Sequence, residues 1–379
     1  MVAVAAKGCG GAGGGALLVA SAPPGMACGV LRCAGPSASF ELGCSGLRQV
    51  GGAGGECELL DRWHLGSDTK AFTAALAALS VQTGEVGWGT TIADALPGLK
   101  VHPGYSGVTL LELLSNSSGA PGAAPPDCWE LAWENEQAGL APAAQRRSFV
   151  EALLALPPET ERGTYSYSNQ GFAIAGHMLE TAAGSEYEDL LAARVLQPLG
   201  VTTAGFGPPP GPASPWGHAA EGPARVAADP AVLGSDNPIA IAPAGRLHMS
   251  LPDWARFVAA IVSPEVAGSL LGLDREAWAK LHAPVVAMDA AGGRYGLGWR
   301  LVERPWAAGP AATHSGSNGL HFCTVWAVPA VGGGGDCGRA PLQSMAVLVA
   351  SNAGGEGAQA AVGEACDEIV RAEVAAAAL

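Results

Sequence analysis

Charge is scarce in this chain. Only 14% of its 379 residues are Asp, Glu, Lys or Arg, and acids outnumber bases 34 to 20 for a net charge of −14. A basic face for nucleic acid is therefore excluded, and an anionic membrane surface would repel the chain. Lysine is scarcest of all, with four (Lys7, Lys70, Lys100 and Lys280), so each position carries weight. No apolar run approaches the roughly 18 residues of a membrane helix, so no span is expected. The nine cysteines form no CxxC pair and the eight histidines no HExxH, which argues against a metal, structural or catalytic. An odd set of scattered cysteines reads as reduced, mostly buried thiols rather than a disulfide framework. There is also no G-x-S-x-G, so the nucleophile elbow of an α/β-hydrolase is missing.

What the chain does have is apolar residues, 49% of the total, enough for a sizeable core. Lys7, the apolar stretch 16–22 and its end Ala20-Ser21-Ala22 faintly resemble a signal peptide, but five glycines between 10 and 15 interrupt it. A soluble cytoplasmic or organellar protein is expected over a secreted one.

Strand-type runs occupy 25–33 and 39–43, separated by the turn-rich Ala34-Gly35-Pro36. From Ser67 the period changes: Phe72, Leu76 and Leu79 recur at helical spacing, with Lys70, Thr73 and Gln82 expected on the surface. Helical patterns follow at 109–114, 148–156, 171–181, 186–196 and 252–262, the last with Ser250 as N-cap. Strand signals return at 295–302, 320–328 and 345–352, the last two joined by the glycine run 332–335, and a helix over 358–378 closes the chain. This order predicts an α+β fold with one sheet built from both chain ends. Residues 1–62 and 286–379 would form the discontinuous sheet domain and 63–285 a mostly helical insertion.

Three motifs carry possible chemistry. In Ser67-Asp68-Thr69-Lys70, residues three apart share a helix face, so the Ser67 hydroxyl and the Lys70 amine point to one place. A serine is a poor nucleophile until a neighbouring base takes its proton, and a desolvated lysine can do so. The same motif also fits a capping serine beside a solvated lysine. In Tyr165-Ser166-Tyr167-Ser168-Asn169, a phenol and an amide stand at a helix entrance, where Ser168 or Asn169 could equally be a plain N-cap. A tyrosine beside a cation would have its pKa lowered and could share a proton relay. In His314-Ser315-Gly316-Ser317, a glycine before a strand edge lets a ligand approach the backbone, although an ordinary turn would look alike.

Taken together, the three resemble the class C β-lactamase and penicillin-binding-protein-like serine hydrolases, in order and in spacing. Trp63–Lys70 is similar to the bacterial "WH-I/L-GS-x-TK" form and Val108–Gly119 to its "TL-x-x-LL-S-H-x-SG" segment. Ala242-Pro243-Ala244-Gly245, Met249–Trp254 and Gly296-Leu297-Gly298-Trp299 look like further landmarks, so the likeness forms a single unit over about 24–355. The resemblance implies a β-lactamase/transpeptidase-like fold: an antiparallel sheet flanked by helices, with an inserted all-α domain. It implies Ser67 as the acylated nucleophile, Lys70 as its proton acceptor and Tyr167 as general base or acid. Asn169 would contact substrate and lysine, His314 and Gly316 would line the ligand strand, and the N–H groups of Ser67 and Ser317 would hold the oxyanion. No metal or cofactor is implied, and the partner is a small ester or amide. A catalytically silent binding or scaffold protein is the alternative, against which every residue the chemistry needs is present.

Two departures bear on substrate. Lysine often stands in the family where this chain has His314, which favours an esterase over a true β-lactamase or D-Ala-D-Ala carboxypeptidase. If His314 were the missing cation, acidification towards pH 6 would charge it, unless Arg246 or another arginine supplies the charge. Asn116 stands where the family often has histidine.

Overall fold

The computed structural model describes residues 3–6 and 23–377, apart from 53, 212–213, 222–223, 291 and 330–343. The expected loop at 332–335 and the apolar stretch 16–22 lie outside the described residues. Nine strands form the main sheet: β1 (Ala3–Ala6), β2 (Gly25–Ala34), β3 (Ser37–Gly46), β4 (Val286–Ala287), β5 (Arg294–Tyr295), β6 (Arg300–Val302), β7 (Ala311–Ser317), β8 (Phe322–Val328) and β9 (Met345–Ser351). Their order across the sheet is β1-β3-β2-β9-β8-β7-β6-β5-β4, so the two chain ends interleave at its centre. All neighbours are antiparallel except β1, which runs parallel to β3.

The period of two along β9 explains its place. Met345, Val347 and Val349 point to one face with Val362, Cys366 and Val370 of the C-terminal helix, whereas Ala346, Leu348 and Ala350 join the main core on the other. Four helices matter most below: α1 (Thr69–Gln82), α2 (Asn169–Ala183), α3 (Leu251–Val262) and α4 (Glu356–Ala377). α3 covers the inner face of the sheet against β2, β3 and β9, and its Phe257 stacks on Phe72 of α1. A single core thus runs from the sheet into the helices of the middle segment.

α1 corrects one expectation. Lys70 and Thr73, read as surface positions, are fully buried. The helix is buried all round from Thr69 to Ser80, its five alanines letting neighbours approach on every side. Thr73 is satisfied there by donating to the Pro243 carbonyl (2.6 Å) and pairing with the Tyr187 hydroxyl (2.7 Å). β7 settles the choice between turn and strand at His314–Ser317 in favour of a strand, and the helix Pro126–Gln137 forms where the sequence pattern suggests no element. Both have weak local patterns that tertiary packing overrides.

One charged group holds the helices together. Arg146 is fully buried and bridges Glu180 of α2 (3.0 Å) and Glu188 (2.8 Å). Removing one partner would leave buried carboxylates uncompensated, so Arg146→Ala should lose about 3–5 kcal/mol in urea unfolding. The exposed pair Arg275–Glu265 gives the contrast, and Arg275→Ala should cost under about 1 kcal/mol. Equal losses in the two variants would contradict this assignment.

Candidate active site

A short strand, Arg62–His64, delivers the chain to one 3₁₀ turn, Gly66–Asp68, which runs straight into α1. Ser67 therefore sits at the mouth of a buried helix and is itself partly exposed. Gly66 adopts φ +47°, and a Cβ there would stand 2.3 Å from the Ser317 nitrogen. From the other side, a Cβ on Gly316 would lie 1.9 Å from the Leu65 carbonyl oxygen and 2.8 Å from the Ser67 nitrogen. Two glycines facing each other thus let the serine turn press against β7, and any side chain would force them apart.

Lys70, one helical turn on, extends its amine into the same space. Nζ lies 3.1 Å from Ser67 Oγ and donates to Asn169 Oδ1 (2.7 Å) and to the Ala244 carbonyl (2.8 Å). Burial holds its pKa well below the usual lysine range, with the nearby Asp68 carboxyl opposing the shift. In its deprotonated form the amine can donate its two N–H groups to Asn169 and Ala244 and keep its lone pair for the serine hydroxyl. Asn169 opens α2, whose N-cap is Ser168: its Oγ accepts from Gly171 N–H (3.0 Å).

The Tyr167 ring centroid lies 4.8 Å from Lys70 Nζ. Its pKa is raised rather than lowered, chiefly because burial disfavours the phenolate, and the pull of the neighbouring Ser67 hydroxyl offsets only part of that. The expected cation effect fails because the lysine is itself desolvated, so Tyr167 stands ready as a neutral phenol. Asn116 explains how this segment is held. It adopts φ +56°, its Oδ1 accepts from Ser168 N–H (3.0 Å) and its carbonyl accepts from Ser166 N–H (2.8 Å).

His314 is buried, with Nε2 3.2 Å from the Tyr295 hydroxyl and Nδ1 2.9 Å from the Ser315 carbonyl oxygen. Burial first, and Lys70 second, push its pKa down to about 3. It is therefore neutral at pH 6, which removes the acid-charged switch. Arg246 is no substitute: it is held by the Asn237 carbonyl and Glu136, away from Ser67. Instead Arg300, exposed at the start of β6 and absent from the motifs, lines a cavity of about 290 Å³ with Tyr165, Tyr167, Met288, His314 and Ser315. Its one sequence signal was its place directly after Gly296–Trp299.

Motif reading also missed the groups under the site. Asp68 is buried, and Cys323 Sγ donates to its Oδ2 (2.9 Å) while also contacting the Leu65 carbonyl (3.1 Å). Desolvation raises the Asp68 carboxyl to about 8, against the pull of Cys323 and Lys70. Ser317 spends its hydroxyl on the His321 carbonyl (2.7 Å), so only its backbone can address a ligand. Ser67, Lys70, Tyr167, Asn169, His314, Gly316 and Ser317 thus converge from α1, the α2 entrance and β7.

The Beta-lactamase family model matches residues 51–365. The chain is 30% identical to the unguisins hydrolase of Aspergillus violaceofuscus over 223 residues, 53% of this chain and 36% of that protein, so the match spans about a third of the fungal protein's length. It is 29% identical to penicillin-binding protein 4 of Amycolatopsis lactamdurans over 293 residues, 70% of this chain and 69% of the other. Among solved structures, a D-stereospecific amidohydrolase from Streptomyces superposes with a TM-score of 0.68 at 20% identity, covering 91% of this chain and 94% of that one. On the match of that family model to most of its length, the chain belongs to the beta-lactamase family.

Proposed function

We propose that the chain is a serine hydrolase that cleaves small esters and amides through an acyl-serine intermediate on Ser67. The observation that carries this reading is the buried Lys70 amine, 3.1 Å from Ser67 Oγ and held there by Asn169 and Ala244. Lys70 takes the hydroxyl proton as Ser67 Oγ attacks the substrate carbonyl. The oxyanion is received by the N–H groups of Ser67 and Ser317, which Gly66 and Gly316 bring together. Tyr167, a neutral phenol beside Ser67, passes a proton to the departing alcohol or amine and takes one back from the Lys70 ammonium, and a water activated by the same pair then releases the acid. Family membership and the amide-cleaving name of a structural neighbour support the same chemistry. No step requires a metal or cofactor.

Short neutral esters are the preferred substrates in this reading, because His314 is neutral and the chain is acidic. Arg300 favours a second reading, an amide or ester bearing a carboxylate, since it lines the cavity beside Tyr167. Arg300→Ala should leave kcat/KM for a neutral p-nitrophenyl ester within about threefold and lower it about tenfold for a carboxylate-bearing analogue, the loss of one partly exposed charge contact. A wild-type preference for the anionic analogue would favour the second reading.

Ser67→Ala should abolish both ester hydrolysis and labelling by a fluorophosphonate probe. Unchanged hydrolysis by that variant would overturn the acyl-serine reading.

The proton relay predicts a pH dependence. Activity requires the neutral Lys70 amine, so kcat/KM rises with pH through the lysine pKa. Burial has moved that pKa down, so the rising limb should fall well below the ordinary lysine value of about 10.4. Lys70→Arg keeps the charge but loses the base, and it should lose about 10²–10⁴-fold, as should Tyr167→Phe. Because the two act as a unit, the double variant should lose little more than either alone. Additive losses would assign them separate roles.

A further inference from the structure

Beside the serine turn, and outside the proton relay, lies a second buried polar cluster centred on Asp236. His64, 1% exposed, lies with Nε2 2.8 Å from Asp236 Oδ2, and its Nδ1 accepts from Gly66 N–H (3.1 Å). The Gly66 amide can only donate, so the ring proton resides on Nε2 and is given to the carboxylate. The other carboxylate oxygen, Oδ1, accepts from Asn318 Nδ2 (3.2 Å) and from the Asn237 N–H (2.8 Å). Asn318 Oδ1 in turn accepts from the N–H groups of Leu320 and His321, closing the turn between β7 and β8. Arg246 Nε stands 4.0 Å from Oδ2, and, against the opposing effect of burial, His64 first and the Arg246 charge second hold the carboxyl below the usual carboxylate range.

The placement of these bonds gives them a consequence. Gly66 is the residue before Ser67, and Asn318 is the residue after Ser317. One buried carboxylate therefore holds the outer neighbours of both proposed oxyanion donors, one through each oxygen. We infer that Asp236 is the positioning residue of the oxyanion hole, setting the separation of the Ser67 and Ser317 N–H groups through His64 and Asn318. This rests on the acyl-serine reading above. Asp236 does not touch the substrate; it acts on the geometry that the transition state needs and the ground state needs less.

Asp236→Asn preserves shape but places an amide N–H₂ against donors: whichever way it turns, it faces either His64 Nε2–H or the Asn318 and Asn237 N–H groups. Removal of one oxyanion donor outright typically costs about 10²–10³ in kcat, so loosening both should cost about 10–100-fold. The expected result for Asp236→Asn is that fall in kcat with KM within about threefold. Affinity for an alkyl boronic acid, whose tetrahedral adduct places an oxygen in the hole, should fall in parallel. Asn318→Ala, which cuts only the strand side, should show a smaller loss with the same split, and it keeps the test available if Asp236→Asn folds poorly. All values are taken per folded molecule, from active-serine titration and thermal unfolding. A folded Asp236→Asn or Asn318→Ala with kcat and boronate affinity within threefold of wild type would overturn the inference. So would a loss in either variant that appears in KM alone. Hydrolysis surviving in Ser67→Ala would instead overturn the acyl-serine reading itself.

Discussion

A lysine amine taken fully out of water, with no carboxylate hydrogen-bonded to it among the described residues, holds its proton less tightly than an ordinary lysine. That constraint governs the molecule. Lys70 lies in the first turn of a helix buried on all sides, and the acceptors around it are an amide oxygen and a backbone carbonyl rather than an anion. The nearby carboxyl, Asp68, is pushed by the same burial towards its own neutral form. Burial thus pushes both groups towards their uncharged forms, which is the state the proposed relay needs in Lys70. In the proposed mechanism, the alanine-rich helix, the paired glycines and the strand that carries Ser317 bring the other groups to that amine.

The sheet serves this end by bringing together segments far apart in sequence. Ser67 and Ser317 are 250 residues apart, yet their backbones touch because neither Gly66 nor Gly316 carries a side chain. Such a contact tolerates no insertion at either turn. The cluster at Asp236 is the inferred means of holding that spacing, since its buried carboxylate accepts hydrogen bonds from His64, which in turn accepts from Gly66, and from Asn318 after Ser317.

Much of this was legible in the sequence, for identifiable reasons. Ser67 and Lys70 share a helix face at a spacing that fixes their meeting, and Tyr167 and Asn169 stand at the entrance of an amphipathic stretch whose cap, Ser168 or Asn169, the structure settles as Ser168. The central strands read correctly where β-branched residues alternate, as in β9. The charge states were less legible. Lys70 looked like a surface residue because an alanine-rich helix has no polar face to mark its inside, and the Tyr167 shift took the opposite sign because desolvation is a property of the packed molecule. Asp68 and Asp236 carried no signal of their roles, and Arg300 only its place after Gly296–Trp299, since their significance arises from partners distant in sequence or from a cavity wall. Asn116 was visible as a departure, but its part in holding Ser166 and Ser168 needed the fold.

The central claim is a covalent bond on one named oxygen, and mass spectrometry reads it directly. The wild-type protein would be mixed with a slowly deacylating aryl ester, quenched in acid within seconds and digested. The account predicts a single acyl adduct, stoichiometric with active protein, on the peptide containing Ser67. An adduct confined to another residue, or turnover of the ester with no adduct at any quench time, would contradict it.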